Sequence, residues 1–66
     1  MRRKLFDGVR QNPARIYRAP GDVLRDRRFG DGERLEILRA WQAQDGANRE
    51  IGPVIAQLEQ RLAAAG

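Results

Sequence analysis

Proline and glycine divide this chain so finely that only short helices fit between them. Asn12-Pro13, Pro20, Phe29-Gly30, Asp45-Gly46 and Pro53 all fall within 66 residues. Proline lacks a backbone donor and clashes with the preceding turn, so a helix tolerates it in its first turn and not beyond. Pro20 therefore predicts the start of a short helix over about 20–27, with Asp22 facing the positive end of the helix dipole and Val23-Leu24 as its apolar patch. Phe29-Gly30 ends that segment. Gly30 then serves as N-cap of a second helix over about 31–45, with Glu33 where a capping-box carboxylate sits.

In the second helix Leu35, Ile37, Leu38 and Trp41 share one apolar arc at 100° per residue, while Glu33, Glu36 and Arg39 lie largely outside it. Asp45-Gly46 and Asn48 end it. A third helix over about 50–64 keeps Pro53 in its first turn and carries Ile51, Val54, Ile55, Leu58 and Leu62, which form a single narrow seam. Its terminal alanines are expected to fray. Neither a strand run nor an internal repeat interrupts this pattern. The fold class that follows is all-α, a small three-helix domain over residues 19–66.

Residues 1–18 read differently. Arg2, Arg3, Lys4, Arg10, Arg15 and Arg18 stand against Asp7 alone, a balance of +5, whereas the rest of the chain brings the total down to +4. Like charge at this density, Gly8, Asn12-Pro13 and the lack of sustained periodicity predict a disordered basic arm, with Ile16 and Tyr17 able to fold back on the body.

Composition narrows the chemistry further. With 41% hydrophobic and 33% charged residues in so short a chain, there is room for one domain and a small core. Stability is therefore expected to be marginal or to come from self-association. The absence of cysteine and histidine excludes a disulfide framework, a thiolate nucleophile, a Cys/His zinc site and an imidazole base together. Met1-Arg2-Arg3-Lys4 resembles the basic start of a signal peptide, but Leu5-Phe6 is too short for the apolar region that must follow. No segment reaches membrane-spanning length, and the expectation is a cytoplasmic protein.

Pro20-Gly21-Asp22-Val23-Leu24-Arg25-Asp26, Phe29 and Glu33-Arg34-Leu35-Glu36-Ile37-Leu38-Arg39-Ala40-Trp41 together resemble a family of short, uncharacterised bacterial helical proteins. The family pattern is proline, two residues, Val-Leu, an acidic residue, a leucine with a hydroxyl cap, Glu-Lys, Ile-Leu and a tryptophan. Here Gly30 stands for the hydroxyl cap, Phe29 for the leucine and Arg34 for the lysine, and Gly46 interrupts where the family helix continues. The resemblance spans about a third of the chain. It implies the helical fold and carries no activity.

Three functional readings follow. The first is a non-enzymatic protein-interaction module that self-associates or docks a protein partner, with Trp41, Leu38 and Leu58 as contact residues because a chain this short leaves apolar helix faces uncovered. In the second, a nucleic-acid-associated protein uses Arg2, Arg3, Lys4, Arg10, Arg15 and Arg18 as phosphate contacts and stacks Phe6 or Tyr17 on unpaired bases. The third sets Leu5, Phe6 and Val9 beside the basic side chains at an anionic membrane, a short patch that anchors weakly; the plain alternative to both is a solvated tail that only aids solubility. A helix-turn-helix reading of Val23 to Gln42 is opposed by Glu33 and Glu36, which would meet phosphate at the entering end. Asp26, Asp31 and Glu33 lack the ligand order of a calcium loop and suit capping instead. No catalytic constellation, metal ligand set or cofactor motif is legible, so an enzyme is not expected.

Overall fold

A computed structural model describes residues 2–65, with side chains from Lys4 to Ala64. Four α-helices follow one another: α1 (Arg2–Gln11), α2 (Pro13–Ile16), α3 (Asp31–Gln44) and α4 (Ile51–Ala65), with a 3-10 segment, Pro20–Arg25, between α2 and α3. No strand occurs among the described residues.

α3 is the spine, and every other element packs on it. Its start follows the sequence closely: Gly30 is extended (φ −80°, ψ 174°), its N–H donates to Glu33 Oε1 at 3.1 Å, and its carbonyl accepts from Arg34 N at 2.9 Å. Glycine supplies no side-chain acceptor in return, so this is half of a capping box. Asp22 does the same for the 3-10 segment, accepting from Ala19 N at 3.3 Å. That segment is shorter and tighter than the expected helix over 20–27, yet it buries Pro20 and Val23 as a helix would. After α3, Asn48 Oδ1 accepts from Glu50 N at 3.0 Å, a turn that leads into α4 with Pro53 in its first turn.

Ile37, Leu38, Ile51, Leu58 and Val23 are fully buried, with Leu24, Leu35, Val54 and Ile55 partly covered around them. The seam of α4 thus holds as far as Leu58, while Leu62 runs beyond its partners and stays 38% exposed. α4 continues through Ala65, where fraying was expected. The body measures 17 Å across its thinnest dimension, which admits two helix layers and no third.

The expectation of a disordered arm over residues 1–18 is corrected by the fold. Residues 2–11 and 13–16 are helical, and Phe6, Val9, Pro13 and Tyr17 belong to the buried interior. The Phe6 ring lies 5.8 Å from that of Phe29 at a tilt of 59°, and Tyr17 stacks on Trp41 with centroids 6.3 Å apart. The Gln44 carboxamide donates to the Arg10 carbonyl at 3.2 Å, fastening the end of α1 to α3. Phe6, Val9 and Pro13 project from one side at helical spacing, but only Phe6 and Val9 of the three apolar residues of α1 turn inward, too few to reveal themselves as a period. Their burial is repaid by residues more than twenty positions away, a tertiary gain that local propensity does not contain.

Phe6→Ala is expected to remove about 3–5 kcal/mol, enough to unfold much of a domain this small, whereas Leu5→Ala at the exposed neighbouring position should cost less than about 1 kcal/mol. Urea denaturation of the two variants checks this. Equal, negligible effects would be the signature of an arm that does not pack.

Candidate functional site

The residues expected to meet a partner face inward. Leu38 and Leu58 have no exposed surface, and Trp41 retains 4%. Their seam is the core itself, since α1 and α2 cover the side of α3 that a three-helix body would have left open. The Trp41 indole N–H is buried without an acceptor among the described residues, a desolvation cost of about 1–3 kcal/mol that the surrounding packing must offset.

Of the six cations expected at phosphate, the side chains of Arg2 and Arg3 lie outside the described part. Arg10 is engaged: its guanidinium stands 5.3 Å over the Phe6 ring, 3.4 Å from Asp7 and 3.8 Å from Glu36. Lys4, Arg15 and Arg18 are exposed. The two aromatics expected to stack on bases, Phe6 and Tyr17, are both buried.

The fold does bring two of these cations together in a way the sequence did not suggest. Lys4, Leu5, Gly8, Val9 and Asn12 follow one another along a single side of α1, and the turn at Asn12-Pro13 sets Arg15 and Ile16 of α2 beside them. The result is an open groove of about 480 Å3 with Leu5 43% and Ile16 51% exposed. Val9 contributes its floor and is otherwise buried. Neither Lys4 nor Arg15 has a carboxylate partner among the described residues, and the Asn12 side chain makes no capping bond. Gly8 is not demanded by the backbone, because no glycine described has a positive φ, and a Cβ there would meet nothing within 4 Å. A mid-helix glycine without such a need is a net cost to α1.

A second groove, about 560 Å3, lies between α1 and α3 along Arg10, Gln11, Glu36, Arg39, Ala40 and Gln44. Its charges are already matched, with Arg10 near Glu36 and Arg39 bonded to Glu59 at 3.2 Å. Ala40 is its one apolar lining residue. It offers a ligand little that the protein does not already satisfy.

The remaining polar cluster joins elements rather than opening a site. Tyr17 Oη donates to Asp26 Oδ2 at 2.7 Å, and Arg28 grips the same carboxylate through Nη2 at 2.7 Å and Nε at 2.9 Å. Arg34 donates to the Asp26 carbonyl at 2.9 Å and pairs with Asp31 at 2.7 Å. The hydrogen bonds from Arg28 hold the Asp26 carboxyl well below the usual range, while burial, reinforced by Asp26, pushes the Tyr17 phenol above its own. One group stays ionised and the other protonated through neutral pH, so the pair is a clasp and not a proton relay. No group of three or more metal-ligating side chains gathers among the described residues, and no described helix is long and apolar enough to cross a membrane.

Two outcomes follow from this geometry. Because Asp26 titrates lower in the folded chain than in the unfolded one, its contribution is complete above about pH 4 and declines on acidification below that. Asp26→Asn should lower stability at neutral pH and flatten its fall between about pH 4 and pH 2, as read by urea melts across that range. Gly8→Ala should raise stability by about 0.5–1 kcal/mol in the same assay, since the methyl group meets open space and α1 gains helix propensity.

The chain matches no protein-family model, no curated protein and no solved structure, so the groove is read from its own chemistry.

Proposed function

We propose that the protein is a non-enzymatic interaction module that docks a protein partner through the groove between α1 and α2. The observation that carries this is the pairing of Leu5 and Ile16, large apolar side chains left about half exposed, with Lys4 and Arg15, cations with no carboxylate within 4 Å among the described residues, around one open groove. Leucine and isoleucine exposed together in a recess gain by being covered, and the recess suits an inserted side chain better than a flat surface does. The nucleic-acid reading loses support where it needed most: Phe6 and Tyr17 are sequestered, and Arg10 is committed to Glu36, Asp7 and the Phe6 ring. Self-association through Trp41, Leu38 and Leu58 would require the core to open, so the contact surface is moved to α1 and α2.

A displayed random-peptide library panned on the full chain, with the Leu5→Asp/Ile16→Asp double variant as counter-target, tests the reading. Both positions are substantially exposed, and circular dichroism establishes that the variant folds. Peptides enriched on the native chain and lost on the variant are expected. Enrichment of nothing, or of the same peptides on both proteins, overturns the docking reading. A dimer in sedimentation that the double variant abolishes would instead put a second copy of the chain in the groove.

A further inference from the structure

We infer that the occupant of the groove is an acidic amphipathic peptide segment, one that places a large apolar side chain against Leu5, Val9 and Ile16 and carboxylates against Lys4 and Arg15. This rests on the docking reading above and specifies its partner.

Arg10, Arg28, Arg34, Arg39 and Arg61 each lie within 4 Å of a carboxylate, whereas among the described residues Lys4, Arg15, Arg18, Arg25, Arg27 and Arg49 have none that close. Of these six, Lys4 and Arg15 are the two that line one groove together with exposed apolar side chains. The groove between them is lined by two cations, three apolar side chains, one glycine and one asparagine, with no carboxylate. Asp7, the one acid of α1, is drawn to Arg10 and does not line the groove. A ligand carrying negative charge thus meets attraction at both rims and repulsion at neither.

Shape and polarity then choose among anionic ligands. A phosphodiester backbone would satisfy Lys4 and Arg15 but would leave Leu5 and Ile16 against sugar and phosphate, with no accessible aromatic ring for a base to stack on. A bilayer would also take Leu5 and Ile16, but two exposed aliphatic side chains bury little hydrocarbon in it and anchor weakly. A peptide meets every feature at once. Its apolar side chain fills the centre, its carboxylates reach the rims, and the free Asn12 carboxamide can both donate to and accept from its backbone. Gly8 lets that backbone come close, which accounts for a helical glycine that neither dihedral nor steric need of the fold requires.

The test takes the groove-dependent peptides from the library and compares each with a counterpart whose Asp and Glu are replaced by Asn and Gln, by fluorescence anisotropy at about 50 and 500 mM salt. The acidic forms should bind the full chain roughly three- to tenfold more tightly, an advantage that shrinks at the higher salt. Lys4→Glu/Arg15→Glu should abolish or invert that preference, and Gly8→Ala should weaken binding while the protein remains folded. If the selected peptides are neutral or basic, or bind equally as amides, the acidic-partner inference falls and the docking reading stands. If no groove-dependent peptide is selected, both fall. Vesicles of anionic phospholipid or an oligonucleotide that displaces the peptide and binds more tightly through Lys4 and Arg15 would also overturn it.

Discussion

Tyr17 joins the two ends of this fold. Its ring stacks on Trp41 at the heart of α3, and its hydroxyl reaches Asp26 beyond the 3-10 segment. Everything N-terminal to it depends on that double attachment: α1 and α2 are short, rich in like charge and marginal as isolated helices. Phe6 packs on Phe29, Val9 is buried and α1 lies against α3, which adds apolar surface to a small core. The aromatic stack supplies area and orientation, and the clasp supplies a bond whose ionic partner stays charged under ordinary conditions.

Asp26 deserves its central place for a geometric reason. Its carboxylate receives Tyr17 and Arg28, and its carbonyl receives Arg34, so one residue ties α2, the turn at residues 27–29 and the first turn of α3. With those groups matched, and with Arg10 and Arg39 answered by Glu36 and Glu59, the cations left over near α1 and α2 are available to something outside the chain. The overall charge of +4 says little by itself; what matters is where the pairing stops.

α3 and α4 were legible because each signal they carry is local. Gly30 with Glu33, Asp45-Gly46 and Pro53 mark their ends, and Ile37, Leu38, Trp41, Ile51 and Leu58 repeat at helical spacing. α1 was not legible for the opposite reason. Phe6 and Val9 offer only two apolar positions, Gly8 lies between them, and the charge density around them argues for solvation. The same omission misplaced the interaction surface. The Leu38 face favours a core position for Trp41, as the fold has it, but with residues 1–18 read as an arm Trp41, Leu38 and Leu58 also stand as candidates for a partner; with α1 and α2 in place they are interior, and the large exposed apolar residues among those described are Leu5, Ile16 and Leu62.

Sequence alone determined that the chain is all-helical, where α3 and α4 begin and end, and that no thiol or imidazole chemistry is open to it, because caps, breakers, periodicity and residue inventory act within a few positions. Tertiary structure decided that Phe6, Val9, Pro13 and Tyr17 of the basic N-terminal segment belong to the core, that Tyr17 covers Trp41, and that Lys4, Leu5, Arg15 and Ile16 meet around one groove. The first two depend on contacts between residues far apart in the chain, such as Phe6 with Phe29 and Tyr17 with Trp41. Burial there is a gain shared by both partners, and neither segment alone displays it.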